Sequence, residues 1–212
     1  MTGDDNRQFG SPNSILWRYF ACLRRLAHEA STTPDPDFQR ETAALAVFMA
    51  VSTIEAFLNI WFRTFSEAGP VAAHRETIMA DLNLRSRRGL TYKFKTWPKM
   101  CFDKGFDLDR PPAESFLALV EQRNELMHFT TNYDSIEVPG ITVQGLVDIT
   151  AYERLGSPDA VNALRVAEEI VGEFFRLQKV GAVEVLKQVH YWTCRVPNQI
   201  ELEEARRQDA AT

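Results

Sequence analysis

Between Ala43 and Phe62 the chain is apolar for long enough to cross a bilayer. No other segment limits the possible folds as strongly. Ser52 and Thr53 interrupt the run, and Glu55 and Asn59 lie inside it. A glutamate in mid-span is expensive in lipid. The pattern therefore predicts no membrane crossing, but a central helix of a bundle, apolar on most sides. That helix runs from about Phe38 to Ser66, with a stripe of Leu45, Phe48, Val51, Ile54, Leu58, Trp61 and Phe65, and Gly69-Pro70 ends it.

The rest of the chain reads mostly as helix. Asn13 to Ala30 carries Ile15, Leu16, Tyr19, Leu23 and Leu26 on one face. Ser31-Thr-Thr-Pro-Asp-Pro breaks that helix and starts the next. A shorter helix spans Val71 to about Leu82. Pro111-Pro112 opens another over Ala113 to Phe129, with Phe116, Val120 and Met127 as its stripe. Ile136-Glu-Val and Ile141-Thr-Val flank Pro139-Gly140, which predicts a small hairpin within residues 130–156. Ser157-Pro158-Asp159 starts a last long helix to about Val189, with Val161, Leu164, Ala167, Ile170, Phe174 and Leu177 on its stripe. Residues after Pro197 read as a charged tail with at most one helical turn. The predicted fold is all-α, a bundle of four to five main helices. Its organisation is an N-terminal helix and linker over 1–35, the bundle over 36–190 and a tail over 191–212.

With 212 residues, 45% of them hydrophobic, the chain can bury one large core. Its net charge of −5 argues against indiscriminate nucleic-acid binding, so any RNA contact needs a local basic patch. Cys22, Cys101 and Cys194 are odd in number, far apart and form no CxxC pair. They indicate neither a zinc site nor a disulfide framework. His28, His74 and His190 have no metal-ligand spacing and read as surface or helix-terminal residues. No metal or cofactor is expected. The N-terminus lacks an apolar signal-peptide core, so a reduced, cytoplasmic protein is the expectation.

Chemistry concentrates at Arg123-Asn124-Glu125-Leu126-Met127-His128, near the end of the helix from Ala113. Arg123 falls on the apolar stripe, where an arginine is costly unless a partner or a ligand meets its charge. His128 lies one turn after Asn124. Two readings fit. Arg123 pairs with a buried carboxylate, Glu55 of the long helix being the candidate, and His128 is a core or capping residue. Alternatively, cation, amide and imidazole form a site with Glu55 orienting Arg123. A second segment holds Arg85, Arg87, Arg88, Lys93, Lys95, Lys99 and Lys104 against one acid, Asp103. Tyr92, Phe94, Trp97 and Phe102 are interleaved, as contacts to unpaired bases would be. The competing reading is a solvated basic face whose aromatics pack into the bundle.

Arg123-Asn124-x-x-x-His128 resembles the R-N-x-x-x-H signature of the HEPN superfamily of small helical bundles. Ser52-Thr-Ile-Glu55-Ala-Phe-Leu-Asn59 is similar to that superfamily's earlier long helix, which often carries such a glutamate. Lys93 to Pro98 is similar to a linker of some bacterial members. The likeness covers roughly residues 40–185. It implies a metal-independent endoribonuclease of toxin–antitoxin, abortive-infection or other anti-phage defence systems, with RNA as substrate. It also implies a homodimer whose two motifs line one cleft, with an antitoxin or defence protein as partner. Arg123 and His128 would be catalytic and Asn124 would support them. A subfamily paired with nucleotidyltransferase antitoxins has a tyrosine two places after the histidine; here Thr130 stands there, which does not match that pairing. The alternative implied by the likeness is a non-catalytic dimerisation or ligand- or RNA-binding module.

Overall fold

The computed structural model describes residues 10–83, 88–127, 134–146 and 149–211. Its centre is a helix over Pro36–Thr64 (α2). Asp35 caps it by accepting from the Asp37 N–H at 3.0 Å, and Pro36 supplies a preset first turn. Ala43, Ala46 and Ala50 are buried along it, small enough to let neighbouring helices approach closely. Those neighbours are α1 (Ser14–Thr32), α6 (Ala113–Met127) and α8 (Ser157–Leu177). Among the described residues α2 alone is long and apolar enough to cross a membrane; in this fold it is the helix around which the others pack.

The stripe predicted for α2 is only partly buried. Leu45 is 55% exposed, and Phe48, Ser52, Glu55 and Asn59, which follow it at helical spacing, are exposed or half-buried. α1, α6 and α8 cover most of α2, with lesser contacts from α4, α5 and α7, and Leu45 at the start of this line is left exposed. α1 buries Leu16, Phe20, Leu23 and Ala30 in the same core as α2. The boundary expected near residue 35 therefore separates no independent cores. Asn13 Nδ2 and Trp17 Nε1 both donate to the Tyr191 carbonyl, at 2.9 and 2.6 Å, tying the chain's start to its last third.

After α2, the chain turns at Gly69, whose φ of 54° favours glycine, into short helices α3 (Gly69–Ala72) and α4 (Arg75–Asp81). One helix was predicted there. The basic segment forms α5 (Leu90–Phe102), and α6 follows. The predicted hairpin is present, with β1 (Asp134–Val138) pairing antiparallel with β2 (Ile141–Leu146) across Pro139-Gly140. A single turn, α7 (Thr150–Glu153), leads into α8. Among the described residues the fold is all-α apart from this two-stranded insertion.

The predicted last helix is two. α8 ends at Leu177, Lys179 turns with φ 58°, and α9 (Ala182–Thr193) begins after Gly181. Val161, assigned to the stripe, is exposed; Ala160 and Ala163 are buried instead. The predicted tail is a helix, α10 (Gln199–Ala210). Asn198 and Glu201 cap it reciprocally, at 3.0 and 2.8 Å. Asp209 near its end accepts from the Ala182 and Val183 N–H groups, capping α9 from outside.

Aromatic rings fill the centre. Phe174 of α8 lies with its centroid 5.1 Å from Phe57, 4.8 Å from Trp61, 5.8 Å from Phe62, 5.6 Å from Phe102 and 5.4 Å from Phe175. Cys101 is buried beside this cluster, and burial pushes its thiol up to about 11. A thiolate is the reactive form, so Cys101 should resist iodoacetamide at neutral pH while exposed Cys194 labels readily. Equal labelling rates in the native protein would contradict this burial. The linkage has a defined sign: the unfolded thiol ionises first, so the thiol's contribution is complete below about pH 9. It is lost as pH climbs toward about 11.

Candidate functional site

α6 buries Ala113, Phe116, Leu119, Val120 and Leu126. Arg123 stands one turn after Leu119 and Val120 and three residues before Leu126, so it sits on the buried line as predicted. Met127 does not: it is 56% exposed, because the stripe turns through Leu126 rather than Met127. Arg123 is half-buried, and its Nε is buried with no hydrogen-bond partner. Asn124, the next residue, is exposed. Gln122 Nε2, on the adjacent face, reaches Asp159 Oδ1 of α8 at 3.5 Å. His128 lies outside the described residues, as do Thr130, Arg85 and Arg87.

Glu55 does not meet Arg123. Its ion-pair partner is Lys93 of α5, with Nζ 3.9 Å from Oε1. Lys93 is 8% exposed, donates to Asn59 Oδ1 at 3.0 Å and lies over the Trp97 ring. The carboxylate that sequence reading assigned to Arg123 thus anchors a buried lysine instead. α5 passes beside α2 and supplies a cation that helical spacing on α2 could not reveal. Among the described residues Arg123 has no ion pair, and its guanidinium keeps unspent donor capacity.

The basic segment divides by face. Phe94, Trp97 and Phe102 are buried, so they are core residues rather than platforms for bases. Trp97 Nε1 donates to Asp81 Oδ2 at 3.1 Å, and Arg88 pairs with the same carboxylate at 3.1 Å and donates to the Tyr92 hydroxyl at 2.6 Å. Arg88 and Lys93 are therefore committed to the fold. Lys95 and Lys99, one turn apart, remain exposed. A second network had no sequence signal, because its members are far apart in the chain. Glu168 of α8 holds Arg24 of α1 at 2.9 Å and Arg195 at 3.3 Å, and Arg195 also pairs with Glu201 of α10.

Among the described residues no three His, Cys, Asp or Glu side chains gather as a metal-binding group. No protein-family model, curated protein or solved structure matches this chain.

Proposed function

We propose that the chain is a metal-independent endoribonuclease of HEPN type, a cytoplasmic homodimer in a bacterial toxin–antitoxin or anti-phage defence setting. The observation that carries this reading is Arg123. It holds a place on α6 where an apolar residue would pack, its Nε is buried, and among the described residues no acid pairs with it. Such an arginine is stabilised by an anion that arrives from outside, and a phosphodiester suits its planar donor fork. Asn124 is exposed next to it, and the motif places His128 one turn further on.

The chemistry follows from these side chains. Neutral His128 takes the proton from a ribose 2′-OH. The 2′-oxygen forms a bond to the adjacent phosphorus, and the bond from phosphorus to the 5′-oxygen breaks. Arg123 holds the non-bridging oxygens as their charge rises. The leaving 5′-oxygen takes a proton from water and His128 then returns its proton to solvent, giving a 2′,3′-cyclic phosphate and a 5′-OH. Lys95 and Lys99 supply the weaker guidance of the RNA backbone.

Assembly is supported by the exposed start of this line on α2. Leu45 and Phe48 lie on it, and exposed Met127 ends the adjoining helix α6. A two-fold pairing across these residues would cover them and bring two copies of the motif together. Sedimentation should give a dimer at micromolar concentration, and Leu45→Glu should convert it to monomer. Incubation of single-stranded RNA with the protein in EDTA should release 2′,3′-cyclic ends. A dimer that binds RNA through Arg123 without cleaving it would favour the non-catalytic module.

A further inference from the structure

Where α2 ends and α8 gives way to α9, the helix ends leave a cleft of about 290 Å³. It is built from elements other than α6. Its walls are the rings of Trp61 and Phe65 from α2, Phe102 from α5 and Phe175 from α8. Trp61, Phe102 and Phe175 are buried, while Phe65 remains 37% exposed. Three polar side chains, Gln178, Glu184 and Gln188, line it beside these rings. Gln178 is fixed at the end of α8, where its backbone N–H donates to the Phe175 carbonyl at 3.1 Å. Its side-chain Nε2 is buried and has no hydrogen-bond partner. Glu184 lines the cleft from α9, and its carboxylate accepts from Gln188 Nε2 at 2.8 Å. That hydrogen bond, with help from Lys187, holds the carboxyl below the usual carboxylate range, so it is ionised at neutral pH. No lysine or arginine lines the cleft.

Each feature narrows what fits. A buried N–H without an acceptor is costly, so the Gln178 amide gains by turning from its buried position toward a ligand acceptor in the cleft. Rings at edge and face favour a flat aromatic guest. The carboxylate that lines the cleft, with its partner Lys187 set outside the lining at 3.4 Å, favours an amine over anions, phosphorylated molecules included. The volume lies at the low end for small-molecule sites.

We propose that this cleft binds a small planar heteroaromatic amine. The ring sits among the four aromatic side chains, a ring nitrogen or carbonyl accepts from Gln178 Nε2, and the amino group donates to Glu184. The site is separate from the Arg123 chemistry and stands whether or not the chain cleaves RNA.

The test uses the full chain with 2-aminobenzimidazole as probe, followed by NMR of the Trp61 indole N–H and the Gln178 side-chain amide. Saturable shifts of both resonances are expected at millimolar probe or below, with none from benzimidazole-2-carboxylate. Gln178→Leu should weaken the probe roughly tenfold. Ala68→Trp, an exposed position lining the cleft, should abolish binding with the melting temperature unchanged. The proposal is overturned if the probe shifts neither resonance, if the carboxylate binds equally well, or if both variants bind the probe as the parent does.

Discussion

His128→Ala should reduce RNA cleavage by ~10²–10⁴-fold, the usual effect of losing a general base. Arg123→Ala should reduce it by ~10²–10³-fold through loss of one charge-stabilising donor. The structure adds a stability arm that separates a catalytic arginine from a structural one. An arginine paired with a buried acid would leave that acid stranded on removal, costing roughly 3–5 kcal/mol. Glu55 is already held by Lys93, and Arg123 has no ion pair among the described residues. Arg123→Ala should therefore change stability by less than about 1 kcal/mol. Chemical denaturation beside the EDTA-resistant cleavage assay reads both effects. A variant that retains full cleavage, or that loses several kcal/mol of stability, would remove Arg123 from the proposed mechanism.

Phe174→Ala should be among the most destabilising single substitutions in this chain, at about 3–5 kcal/mol. Phe174 is fully buried, and its ring meets five other aromatic rings contributed by α2, α5 and α8 itself. Truncation removes those contacts together and opens a cavity that rigid rings cannot close. Domains of this kind are stable by only about 5–15 kcal/mol, so the midpoint of denaturation should fall markedly. A loss under about 1 kcal/mol would mean that the cluster repacks around the gap.

The main helices were legible because each has a periodic apolar face that local spacing reveals. Pro139-Gly140 likewise marked the hairpin. The break between α8 and α9 was missed because Gly181 is its one clear local signal and apolar residues resume at once. α10 resembles a charged tail in the sequence, and in the fold it buries only Ala205, yet Asn198 and Glu201 carry a capping signature visible in the sequence. At the candidate site, Arg123's place on the buried line followed from spacing. The partner of Glu55 did not, since packing of α5 against α2 decides it. Phe94, Trp97 and Phe102 illustrate the same limit: interleaved bases and aromatics look alike whether the rings face solvent or core.

The position of α8 in the chain has a consequence for biosynthesis. α2 is covered on one side by α1, which leaves the ribosome before it, and on another by α8, which leaves long after. At about 5–20 residues per second, on the order of ten seconds pass between the two events. Throughout that interval the rings of Phe57, Trp61 and Phe62 lack their α8 counterpart. The nascent chain thus presents the most apolar helix of the protein, half-clothed, to whatever chaperones or sister chains are near.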